Sequence, residues 1–234
     1  MLWGNLNNNF NEATMGYVNT SDLSWGNYKY RTWTVPNLVT YAESHDEERL
    51  MFKNLTYGNS GINYSVKNLN TALKRNEMAM CFLIPLQGPK MIWQFGELGY
   101  DVSINSNGRT GTKPLLWNYL QDKERIKLLG VYQQMANLRL SKTIFQTTDY
   151  RMDVANEVKQ VNLIDGNSQV LLIANSGPET KSSTLTFPVT GKWYDYFSGQ
   201  SFDVTNKVLP INLVSGEFHL FVNEAWNSKN LNLV

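Results

Sequence analysis

A change of pattern near residue 143 constrains this chain most. Before it, short apolar runs end in polar clusters and lead into helical stretches. After it, short strand-like runs alternate with turn residues and no helical stretch recurs. In the first part, Asn37-Leu-Val-Thr-Tyr-Ala42 reads as a strand ending in Glu43-Ser-His-Asp-Glu-Glu-Arg49, followed by a loop with Gly58-Asn-Ser-Gly61 as its turn. The spacing from Asn68 to about Leu86 predicts a helix, nearly all apolar toward its end and stopped by Pro85 and Gly88-Pro89. Met91-Ile-Trp-Gln-Phe95 reads as a buried strand ended by Gly96-Glu-Leu-Gly99, and about Asp122 to Leu140 reads as a second helix. Strand, polar end and helix, repeated, is the pattern of a parallel α/β sheet. Residues 1–35 read mostly as ordered loop.

Beyond residue 143 the expected strands are Val154–Leu163, Gln169–Ala174, Ser183–Phe187, Lys192–Phe197, Val208–Val214 and Glu217–Val222. Short strands with such separators predict an antiparallel β-sandwich. The expected class is therefore α/β plus all-β, with domains at residues 1–142 and 143–234.

Composition narrows the function. The 21 basic and 20 acidic residues of the 234 nearly cancel, so nothing favours nucleic acid or an anionic membrane as partner. No apolar run approaches the roughly 20 residues of a membrane span. The single cysteine, Cys81, excludes an intrachain disulfide and sits in an apolar run, where it reads as a small buried hydrophobe. With His45 and His219 as the two histidines, a His-rich metal site is not expected, and no metal or cofactor is assigned. Asp101 to Gly108 brushes against a calcium loop, but its Gly comes too late and Thr112 stands where a bidentate Glu is needed. The sequons at Asn54 and Asn63 are what an Asn-rich chain produces by chance. The start of the chain shows no signal-peptide pattern.

In parallel α/β folds, reacting groups gather at the carboxyl ends of strands. Here those ends carry His45-Asp46 and Glu97, and two neighbouring carboxylates suggest glycoside hydrolysis. Trp3, Trp25, Trp33 and Trp117 could stack on sugar rings, although each alone also suits packing. Trp93, inside an apolar run, reads as core.

At Tyr41-Ala-Glu-Ser-His-Asp46 the sequence resembles the α-amylase family of glycoside hydrolases, whose seventh barrel strand ends in an aromatic-x-x-x-His-Asp signature. Gly88-Pro-Lys-Met-Ile-Trp-Gln-Phe-Gly-Glu-Leu-Gly99 resembles the family's eighth-strand signature, with Trp93-Gln94 departing from the usual aromatic pair. Ala136-Asn-Leu-Arg-Leu140 is similar to the close of the last barrel helix. Gly191-Lys-Trp-Tyr-Asp-Tyr-Phe-Ser-Gly199 is similar to the C-terminal antiparallel domain, and the Asn-rich loops are similar in style to those of bacterial amylases. The resemblance spans nearly the whole chain.

The resemblance implies the last strands and helices of a (β/α)8 TIM-type barrel, from about strand six, followed by a sandwich. It implies that Asp46 stabilises the transition state, that His45 binds substrate, and that Glu97 is a structural acid near the site, which demotes an Asp46–Glu97 catalytic pair. The motifs of the family nucleophile and acid/base are missing, so the implied function is an inactive C-terminal fragment of a retaining α-glucan hydrolase acting on α-1,4 bonds. The expected partner is an α-glucan oligosaccharide or polysaccharide, and the parent would act outside the cytoplasm. A branching or transglycosylating parent is an alternative, as is a non-catalytic carbohydrate-binding module using exposed Trp193 and Tyr194. Open barrel edges lead us to expect self-association, or a cover made by residues 1–35.

Overall fold

Three short strands run parallel in one sheet, ordered β1-β2-β5: β1 (Leu2–Asn5), β2 (Leu38–Tyr41) and β5 (Lys90–Met91). The computed structural model describes residues 1–226. In register, Leu2 faces Leu38 and Asn5 faces Tyr41, while Tyr41 faces Met91 across the other side of β2. Gly4 permits the close approach of β1, because a Cβ there would lie 2.7 Å from Leu38 Cγ.

Helices follow each strand: α1 (Asn7–Met15), α2 (Leu50–Tyr57), α3 (Leu69–Leu83) and α4 (Lys123–Ser141). A short hairpin, β3 (Ser60–Gly61) and β4 (Tyr64–Ser65), lies between α2 and α3. The two expected helices start where their caps dictate. The Asn68 side chain accepts from the backbone N–H groups of Asn70 and Thr71, and Asp122 from those of Glu124 and Arg125. No helix among the described residues is long and apolar enough to cross a membrane.

Among the described residues, eight antiparallel strands follow α4: β6 (Asp149–Asp153), β7 (Val158–Asp165), β8 (Ser168–Asn175), β9 (Lys181–Thr186), β10 (Gly191–Asp195), β11 (Ser201–Val204), β12 (Val208–Leu213) and β13 (Phe218–Val222). They form a six-stranded sheet, ordered β11-β10-β13-β8-β7-β6, and a separate β12-β9 pair. Leu171, Ile173, Leu185, Phe187, Trp193, Leu213 and Phe221 pack together as one apolar cluster. Leu172 and Ala174, alternating along β8, join the larger cluster built from α3 and α4. Both faces of β8 are thus covered, which is why its sequence is continuously apolar rather than alternating.

The structure corrects several expectations. Residues 1–35 are mostly loop and turn, as expected, but β1 and α1 lie within them as unexpected elements. The Asn-rich α1 has weak intrinsic propensity; Phe10 is fully buried, and Asn7 Nδ2 donates to the Ala42 and Glu48 carbonyls at 2.8 and 2.9 Å. Residues 2–5 supply the edge strand of the parallel sheet instead of covering it. The expected loop after Arg49 contains α2, anchored by buried Leu50 and Met51. The expected strand at 91–95 pairs only over Lys90–Met91, because β5 is an edge and the chain turns at Phe95 with φ 58°. The unexpected strands β6 and β11 are the two edges of the six-stranded sheet; both alternate polar and apolar residues, but each is short and carries only two apolar side chains.

Two buried cations hold distant segments together. Arg75 donates to the carbonyls of Ala13 (2.8 Å), Thr14, Ser176 and Gly177 (3.3 Å) and to the Tyr64 hydroxyl (3.1 Å). Lys159 Nζ donates to the carbonyls of Ser21, Val154 and Asn156 and to the Ser21 hydroxyl, at 2.8–3.0 Å.

Candidate functional site

A cleft of about 600 Å³ opens beyond the carboxyl end of β2. Its lining comes from three segments: Ser44–Glu47 with Arg49, Trp93–Gln94, and the loop from Tyr100 to Leu115. The last segment is held by Glu48, whose carboxylate accepts from Ser103 Oγ and Ile104 N, both at 2.8 Å. Arg109 reaches back across the cleft and donates to the Asp46 carbonyl.

His45 and Asp46 both line this cleft and are largely exposed, with His45 Nε2 3.3 Å from Asp46 Oδ2. The turn that carries them is tied down by side-chain hydrogen bonds. Ser44 Oγ accepts from Asp46 N at 3.0 Å and donates to Glu47, whose other oxygen accepts from Asn5 Nδ2 at 2.6 Å. Glu97 does not line the cleft; it sits half-buried in the 3₁₀ turn Gly96–Leu98.

Trp93 is not core. It is half-buried, lines the cleft, and its ring lies 5.5 Å from that of His45 at 46°. A tryptophan on an edge-strand exit looks the same in sequence as one inside a strand, so periodicity does not separate the two.

Beneath the cleft lies a buried pair that no sequence signal marks. Arg49 Nη2 is 3.4 Å from Glu43 Oε2, donates to the Gln94 carbonyl at 2.7 Å, and the guanidinium lies 4.9 Å from the Tyr100 ring centroid. Glu43 Oε1 accepts from Leu50 N at 2.7 Å. Burial pushes the Glu43 carboxyl above its ordinary range; Arg49 and the Leu50 N–H pull it down, and Glu97 and Glu48 add to the rise. Gly96 lies against this pair, since a Cβ there would sit 2.5 Å from Glu43 Oε2. One arginine thus links the β2 exit to the β5 exit, where Trp93 packs beside His45.

Other candidates fall elsewhere. Trp193 is wholly buried and its Nε1 donates to the Val189 carbonyl at 3.2 Å, so it offers no sugar-binding face; Tyr194 is half-buried. Trp3, Trp25 and Trp117 are exposed. Cys81 is buried, and burial raises its thiol well above the ordinary value, so it is not a nucleophile. Asp101 is engaged by Arg125 at 2.8 Å and by the Tyr119 hydroxyl. Asn54 is buried and donates to Asn76, which excludes its sequon from modification in the folded chain.

No family model and no curated protein sequence matches the chain. Solved structures do. A variant of AmyP in complex with maltotriose superposes with a TM-score of 0.69 at 13% identity, over 94% of this chain and 49% of that one. An Anoxybacillus α-amylase gives 0.67 at 14% identity, over 93% of this chain and 45% of that one. The cyclomaltodextrin glucanotransferase CldA gives 0.66 at 18% identity, over 93% and 43%. The chain spans about half the length of these structures. It therefore has the fold found in α-amylase-family enzymes over about half of their length, consistent with a C-terminal portion.

Proposed function

We propose that the chain is the C-terminal part of a retaining α-glucan hydrolase acting on α-1,4-glucosidic bonds, comprising the last three strands of a TIM-type barrel (residues 1–142) and a β-sandwich domain (143–234). The observation that carries this reading is the His45–Asp46 turn at the carboxyl end of the middle parallel strand, where both side chains, with Trp93 packed beside His45, line a sugar-sized cleft. In this reading the Asp46 carboxylate faces the positive charge that develops at the anomeric carbon and lowers the barrier electrostatically. His45 donates to or accepts from a neighbouring hydroxyl, and Trp93 packs on the C–H face of the ring. Glu97 supports the floor of the site.

The nucleophile and acid/base belong to other polypeptide, so the chain alone binds glucan without cleaving it. The free edge of β1, with Leu2 and Trp3 exposed, takes a further strand, from upstream sequence or from a second copy. A polymeric substrate puts the parent outside the cytoplasm. A glucan-transferring parent is a second reading, supported by the likeness to CldA. The carbohydrate-binding-module reading loses its platform with Trp193 buried.

Calorimetric titration with maltotriose tests the assignment. Binding by the native chain, lost in Asp46→Asn and Trp93→Ala, is the expected result. Unchanged affinity in Asp46→Asn refutes the site, and starch hydrolysis by the purified chain refutes the missing-carboxylate reading.

A further inference from the structure

The segment before β2 is wrapped into tight turns and fixed to the six-stranded sheet. Tyr28 is buried; Asn27 Oδ1 accepts from Lys29 N at 2.8 Å and from the Tyr150 hydroxyl, and Lys29 Nζ donates to the Thr148 carbonyl. Thr32 N donates to the Lys29 carbonyl at 2.9 Å and Trp33 N to the Tyr28 carbonyl at 3.1 Å. Closing these turns drives Thr32 to φ 61°, a left-handed conformation that a β-branched residue rarely adopts.

This braced turn presents a polar-edged aromatic patch. Trp25 and Tyr30 are 50% and 59% exposed, with rings edge to face at 6.2 Å. The Arg31 guanidinium lies 4.4 Å from the Trp25 ring centroid and 5.8 Å from that of Trp33, and its Nε donates to the Trp25 carbonyl at 2.9 Å. Among the described residues no carboxylate pairs with Arg31, and its two terminal nitrogens make no hydrogen bond. The exposed Tyr30 ring and the part of Trp25 that Arg31 leaves uncovered, with a fork of N–H donors over the indole, match one ligand chemistry closely. A pyranose has apolar C–H faces and a rim of hydroxyls. An acidic protein would call for several free cations, yet the nearby Lys29 is committed to Thr148 and to the Tyr150 ring.

We infer that Trp25, Tyr30 and Arg31 form a second α-glucan contact, separate from the cleft. The inference rests on the glucan reading above. The turn leads into the amino end of β2, whereas the cleft lies beyond its carboxyl end, so two stretches of one polysaccharide, or two chains, can be held together. The strain at Thr32 serves pre-organisation: the patch is rigid before ligand arrives, which lowers the ordering cost of binding.

The indole N–H signals of the full chain, titrated with maltoheptaose and assigned through Trp25→Phe and Trp93→Phe, test this. Both signals should move, with separate midpoints. Movement of Trp93 without Trp25 overturns the second contact and leaves the cleft reading standing; movement of Trp25 alone does the reverse; movement of neither overturns both. Arg31→Ala should weaken the Trp25 response about tenfold while leaving the Trp93 midpoint unchanged, the magnitude of one aromatic or cation–π contact. An equal Trp25 response to cellohexaose overturns the α-glucan assignment, as does an unchanged Trp25 midpoint in Arg31→Ala.

Discussion

Replacing Arg49 by Met should loosen the cleft from beneath. Met keeps the apolar stem but removes the charge-assisted bond to the Gln94 carbonyl, the ion pair with Glu43 and the stacking on Tyr100. Removing one partner of a buried ion pair costs roughly 3–5 kcal/mol. The geometry argues for the lower end. The Arg49–Glu43 separation of 3.4 Å is loose, and Arg49 Nε is buried without a partner, so the native pair is itself imperfect. We expect a loss of about 3 kcal/mol near pH 8, measured by urea unfolding. The loss should depend on pH with a definite sign. Burial already raises the folded Glu43 carboxyl, and Arg49 is the strongest influence pulling it down. Without Arg49 the folded value rises further above the unfolded one, so the folded state holds a proton that the unfolded state releases. Stability then falls as pH climbs from about 4.3 toward the raised folded value, and the deficit shrinks again in acid. Adding Glu43→Gln to Arg49→Met should recover about 1–2 kcal/mol, because the stranded carboxyl is gone. A deficit below about 1 kcal/mol, or one that does not change between pH 4 and 8, would refute this account of the pair.

Three further outcomes follow from the packing. Gly96→Ala should cost about 1–3 kcal/mol by forcing the Glu43 carboxylate away from Arg49; circular-dichroism melts at pH 8 measure it, and no change would mean the turn yields freely. Trp193→Ala should cost about 3–5 kcal/mol in urea unfolding, because the ring is fully buried against Phe187 at 4.9 Å; a stable variant with selective loss of sugar binding would contradict it. His219 has a carboxylate oxygen at each ring nitrogen, Asp195 at 2.8 Å and Glu217 at 3.0 Å, an arrangement that favours the charged ring, in which both nitrogens donate. Burial alone would lower its pKa, but the bonds and charges of Asp195 and Glu217 outweigh it and raise the value. The stabilisation is therefore full below the unfolded value near 6.5 and is lost as pH rises through the folded one. His219→Gln should destabilise by about 1–2 kcal/mol at pH 6 and by less at pH 9; a gap that widens with pH would overturn the charged assignment.

The two long helices are legible in the sequence because their signals are local: Asn68 and Asp122 are caps, and the apolar positions that follow repeat at helical spacing. The antiparallel part is legible for a similar reason, as turn residues bracket each inner strand. The His45–Asp46 site can be marked because it ends an apolar run. The edge strands β6 and β11 escape notice because each is short and offers only two apolar residues, too few to stand out from a loop even though they alternate. Trp93 reads wrongly as core because an apolar letter does not say whether a neighbour covers it.

The sequence by itself determined the two long helices α3 and α4, the inner strands of the antiparallel sheet, and the polar strand end on which His45 and Asp46 stand. Only the tertiary structure decided that Arg49 would bridge that end to Gln94, that α1 would be a helix despite its asparagines, that Trp93 would face the cleft, and that Trp193 would not face solvent. The physical reason is range. Caps, turns and periodicity act over a few residues and are written locally, whereas burial and pairing depend on which distant segment arrives alongside, 45 positions away for Arg49 and Gln94.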